Sequence, residues 1–89
     1  MTISDSLSFD SNRPNYKNNG RLVKVNDLIA MPGHTIVKQN VNKIVNYMNN
    51  GGLLPPLCVE QDTHIVIDGN HRLCAAIKTD KHRIRAVFL

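Results

Sequence analysis

Ile65-Val66-Ile67-Asp68-Gly69-Asn70-His71-Arg72-Leu73-Cys74-Ala75-Ala76 decides how the rest of the chain is read. Ile65, Val66 and Ile67 are consecutive β-branched residues, the mark of a buried strand. Asp68-Gly69 is turn chemistry, because glycine accepts backbone angles that other residues avoid. Leu73, Ala76 and Ile77 then recur at helical spacing, with Ala75 beside them. The stretch predicts a strand, a tight glycine turn and a helix that opens directly from the turn. A helix start leaves backbone N–H groups without partners and carries partial positive charge. His71 and Arg72 fall in the first turn, on top of that charge. A bound anion, phosphate above all, relieves the conflict. Gly69 lets a ligand approach the backbone closely. Asn70 offers amide donors, and Arg72 offers a planar fork suited to bidentate phosphate contact. His71 is read either as a phosphate donor or as packing against the sheet edge. Asp68 is read as capping the helix, with holding the glycine turn or touching a metal carried by a nucleotide as alternatives.

Outward from this stretch, the composition sets bounds. The 89 residues carry a net charge of +4, with a pI near 9.4, and suffice for one small domain. That charge suits nucleic acid, nucleotides or an acidic protein surface without choosing among them. Lys78, Lys81, His82, Arg83 and Arg85 form the one basic cluster, read as a solvated edge with a nucleic-acid patch as the alternative. No apolar run is long enough to cross a bilayer, and the N-terminus lacks a signal-peptide pattern. Cys58 and Cys74 lie in apolar segments and read as buried reduced thiols, so a cytoplasmic location is expected. No His/Cys spacing matches a zinc site, and no protein-bound metal is expected.

Residues 1–20 are rich in Ser, Asn and Asp and read as a flexible polar arm; residues 21–89 read as the folded domain. Arg21 to Val25 alternates as a short strand, Asn26-Asp27 is a turn signal, and Leu28 to Met31 is expected to return to the core before Pro32-Gly33. Val37, Val41, Ile44, Val45 and Met48 define one apolar helical face, with Thr35 as N-cap and Asn49 to Gly52 as terminator. Leu57-Cys58-Val59 and His64 to Ile67 read as a hairpin across the polar turn Glu60 to Thr63. A second helix is expected from about Asn70 to Thr79 and a final strand from Ile84 to Leu89. The expected fold is α+β: a small two-layer domain, β-α-β-β-α-β, with a mixed sheet.

Asp68-Gly69-Asn70-His71-Arg72, in its strand-turn-helix setting, resembles the signature of the ParB/sulfiredoxin-like superfamily. Further pieces are similar to that family: Val23-Lys24-Val25, Pro32-Gly33-His34-Thr35, the helix ending at Asn50-Gly51, and Pro56-Leu57-Cys58-Val59. In several members the turn binds nucleotide phosphates. The resemblance thus implies phosphate or nucleotide binding through Asp68, Gly69, Asn70, His71 and Arg72, with His34 and Thr35 as weaker candidates. It also implies a nucleoside triphosphate with Mg²⁺ as ligand.

Departures from the family pattern narrow the chemistry. Sulfiredoxins place a catalytic cysteine where this chain has Asn70, and an amide is no thiol nucleophile. Partitioning ParB proteins add helix-turn-helix and dimerisation domains, and no segment of this sequence to Leu89 reads as either. Free-serine kinases of the superfamily use an acid before the first helix, where this chain reads Gly33-His34-Thr35-Ile36; the missing carboxylate argues against kinase activity, with His34 the one candidate substitute. The few acids, Asp27, Glu60, Asp62 and Asp68 among them, argue against a two-metal nuclease. Two expectations result. One is a nucleotide- or phosphate-binding domain with weak NTP hydrolase or phosphotransferase chemistry as an open question. The other is a non-catalytic module of a phage or plasmid that binds nucleic acid or a protein, such as an inhibitor of a host system. A nucleic-acid backbone phosphate fits the same cradle.

Overall fold

The computed structural model describes residues 20–89; apart from Gly20, the expected polar arm lies outside the described residues. The elements run in the order β1 (Arg21–Lys24), a 3-10 turn (Val25–Asp27), α1 (Lys38–Asn49), β2 (Leu57–Val59), β3 (Val66–Asp68), α2 (Asn70–Lys78) and β4 (Arg83–Phe88). The strands form one mixed sheet in the order β1-β4-β2-β3. β4 pairs antiparallel with β1 and parallel with β2, while β2 and β3 form the expected antiparallel hairpin, with a register shift at Cys58/Val59. The α+β architecture read from the sequence is the one observed.

The sheet packs its inner face against α2. Leu57, Val59, Val66, Ile84 and Ala86 meet Leu73 and Ala76 of α2 and Val25 of the 3-10 turn. A second cluster joins Val41 and Ile44 of α1 to Ala75 of α2, with Val45, Met48, Leu54 and Cys74 around it. α2 therefore lies between two apolar surfaces, and its small residues Ala75 and Ala76 let both approach closely. Complete burial of Ile44 contributes about 1.5–3 kcal/mol. The polar side of α1, with Lys38, Asn42, Lys43 and Asn46, is exposed as its spacing requires.

Several local expectations are corrected. α1 begins at Lys38 with Val37 as its cap residue, not at Thr35. Val37 is held extended (φ −92°, ψ 114°), and its N–H is bonded to a side chain of α2, so the helix cannot wind back further. Val37 consequently leaves the apolar stripe and is 39 % exposed. Ile77 is 58 % exposed because the buried faces of α2 are filled by Leu73, Ala75 and Ala76. Val25 belongs to the 3-10 turn rather than to β1, with its N–H bonded to the His82 carbonyl. Ile29 does not enter the core; it runs beside β3, bridging Ile65 in parallel. Of the two free thiols, Cys58 is buried and Cys74 is half-buried.

Candidate functional site

The turn between β3 and α2 is built as the sequence requires. Gly69 adopts φ +102°, a left-handed conformation, and is the cap residue of α2. A Cβ at this position would lie 2.5 Å from Leu57 Cδ2 and 2.8 Å from Arg72 Nη2. Glycine is needed here both for its backbone angle and because Arg72 folds back over it.

The three residues after Gly69 occupy the first turn of α2, and successive helical positions point about 100° apart. Each consequently reaches a different part of the chain. Asn70 accepts the Met31 N–H at Oδ1 (2.9 Å) and donates from Nδ2 to the Val66 carbonyl (3.0 Å). His71 accepts the Val37 N–H at Nε2 (3.0 Å). Arg72 donates from Nη1 to the carbonyls of Pro55 (3.0 Å) and Pro56 (3.2 Å), and its Nη2 lies 3.5 Å from Asp68 Oδ2. Asn70 is 3 % exposed, and His71 and Arg72 are completely buried. Buried polar groups of this kind are costly unless bonded, so the triplet ties the segments around residues 31, 37 and 55–56 to one helix start.

This geometry corrects the expected roles. The side chains of Asn70, His71 and Arg72 are engaged inside the domain rather than displayed as a phosphate cradle at its surface. Asp68 stands one residue before Gly69, the cap residue of α2, and pairs with Arg72. His71 is buried, against the Val37 N–H and the His34 ring. Because His71 Nε2 accepts a hydrogen bond, the imidazole is neutral with its proton on Nδ1. Burial first, and the neighbouring His34 second, hold its pKa below the ordinary histidine value.

His34 and Thr35 lie in the loop before α1, and His34 meets the turn. The His34 ring stands edge-on to His71, with centroids 5.5 Å apart and planes at 74°. Its Nε2 is buried, with no hydrogen-bond partner among the described residues. Thr35 is exposed, and so is Lys38 in the first turn of α1. The Val37–His71 bond therefore brings the starts of α1 and α2 together. Neither first turn contains an acidic residue, so two positive helix ends converge beside a histidine pair. No group of three or more His, Cys, Asp or Glu side chains that could hold a metal gathers among the described residues.

The sequence reading missed the other half of each brace: Met31, Val37 and the Pro55 and Pro56 carbonyls. These are backbone groups, which leave no trace in residue identity. The available signal was the polar triplet Asn70-His71-Arg72 itself, leading a helix whose next positions are Leu73, Cys74, Ala75 and Ala76. Comparison with family models, curated proteins and solved structures returned no match.

Proposed function

We propose that this domain binds a phosphate-bearing ligand, a nucleotide in the first instance, where the starts of α1 and α2 meet. The observation that carries the reading is the bond from the Val37 N–H to His71 Nε2, which holds two acid-free helix starts together beside the unpartnered Nε2 of His34. Helix starts favour anions through their N–H groups and dipoles. In this arrangement the triplet 70–72 shapes the site. Contact falls to His34, Thr35, Lys38 and the exposed backbone at the start of α1, since the first turn of α2 is buried. A nucleoside triphosphate would bring its own Mg²⁺, with the partly exposed Asp68 as the nearest acid of the turn. The base this geometry offers for hydrolysis or phosphoryl transfer is His34.

A second reading is favoured by the burial and pairing of Arg72: a non-catalytic module that retains the turn as a brace and meets its partner elsewhere. Calorimetric titration of ATP, CTP and GTP with Mg²⁺ separates the two. The first reading expects saturable binding that weakens about tenfold in His34→Ala or Lys38→Glu, a loss of about 1.4 kcal/mol. Heat-free titrations of a folded sample with all three nucleotides reject it. Measured binding justifies an assay of phosphate release.

A further inference from the structure

A cavity of about 220 Å³ opens between β1, β4 and the segment after α1. Its apolar lining includes Leu22, Met48, Leu53, Leu54 and Pro55. Leu53 is 86 % exposed and Leu22 59 % exposed, although each lies beside further apolar side chains. The same cavity is lined by Lys81, Arg83 and Arg85, and among the described residues no acidic side chain lines it. Register places Lys24 directly across from Arg83 and Leu22 across from Arg85. Like charges directly opposed in an antiparallel pair are destabilising, so this end of the sheet gives up stability in the free domain. β1 is an edge strand, and no described residue pairs with its outer side.

We infer that this groove is a docking site for an extended, acidic segment of another protein that carries an aliphatic anchor residue. An apolar groove beside an open strand edge suits an added strand, whose backbone pairs with β1 while alternate side chains enter the groove. Lys24, Lys81, Arg83 and Arg85 supply the charge complementarity, and the partner's acids would relieve the Lys24–Arg83 opposition. Leucine and methionine adapt to an aliphatic anchor. The described lining has no Trp, Tyr, Phe or His on which a base could stack, so the surface fits a polypeptide better than a single nucleic-acid strand. Arg72 holds the Pro55 carbonyl from the far side, so the groove wall is fixed before any partner arrives.

The test selects from a random displayed peptide library on the immobilised full chain, with single- and double-stranded DNA oligonucleotides titrated in parallel. Enriched peptides are expected to carry a Leu, Ile or Val flanked by Asp or Glu. Their binding should fall about tenfold in Arg85→Glu and in Leu53→Gln, and should weaken as salt is raised. Both substitutions lie at exposed positions, and thermal melting confirms that the variants are folded. Lack of enrichment, a basic or charge-free consensus, or binding indifferent to both substitutions overturns the inference. So does DNA binding that needs Arg83 and Arg85 while no peptide is selected. None of these readouts depends on nucleotide binding at the helix starts.

Discussion

The turn at residues 68–72 and the groove beside β1 and β4 invert the usual placement of residue types. At the turn, Asn70, His71 and Arg72 are polar yet interior; at the groove, Leu22 and Leu53 are apolar yet exposed. Every interior polar residue of the triplet has a bonded partner, and each bond reaches a different segment. Among the described residues, the groove's leucines and cations have no such side-chain bonds. The difference teaches that side-chain chemistry alone does not locate a ligand. A polar triplet can organise a small domain, while the surface available to a partner is made of residues that a motif search passes over.

Substitutions at the turn should therefore be costly, and substitutions at the groove nearly silent in stability. The largest effect is expected for Arg72→Met, which leaves the Pro55 and Pro56 carbonyls and Asp68 without their donor. Breaking a buried charged group's pairing costs about 3–5 kcal/mol, enough to leave a domain of this size barely folded. Urea denaturation measures it; a loss under 1 kcal/mol by that measure would mean the arginine acts as an ordinary surface group. Gly69→Ala comes next. The left-handed backbone costs about 1–2 kcal/mol, and the contacts with Leu57 and Arg72 add to it. Asn70→Ala strips the bonds to Met31 and Val66 and should cost about 1–3 kcal/mol by the same denaturation assay.

A pH series sharpens the contrast. His71 is held neutral in the folded state, below its ordinary pKa, chiefly by burial and secondly by His34. The unfolded chain binds the proton more readily, so this contribution is whole above about pH 6.5 and is lost as pH falls through the lower, folded value. The melting temperature of the wild type should drop on acidification across that window, and the drop should shrink in His71→Gln. At the groove, Lys24→Glu removes the like-charge opposition with Arg83 and should stabilise by up to about 1 kcal/mol at low salt. Leu53→Gln should stay within about 0.5 kcal/mol of wild type, as expected for a surface position.

Much of this was legible in the residues. The β-branched run 65–67, the Asp68-Gly69 turn and the apolar stripe of α1 gave the strand, the turn, both helices and the mixed α+β arrangement. The start of α1 was missed because it depends on a distant bond from Val37 to His71, not on the local capping signal at Thr35. The turn residues were correctly gathered at one helix start, but the directions of their side chains were not. Direction depends on which loops lie around the helix, and those loops present backbone carbonyls and N–H groups that every sequence shares. The groove was hidden for a related reason: Leu22, Leu53 and Arg85 are far apart in the chain and meet only when β1 pairs with β4 and the segment after α1 folds across them.

The most direct test of the account is a residue-resolved NMR titration of the ¹⁵N-labelled chain with Mg²⁺–ATP, –CTP and –GTP. The account predicts saturable amide shifts concentrated at residues 34–40 and 69–72, where the two helix starts meet, with residues 81–85 little changed. Shifts confined to the β1–β4 groove, or no shifts with any nucleotide, would contradict it.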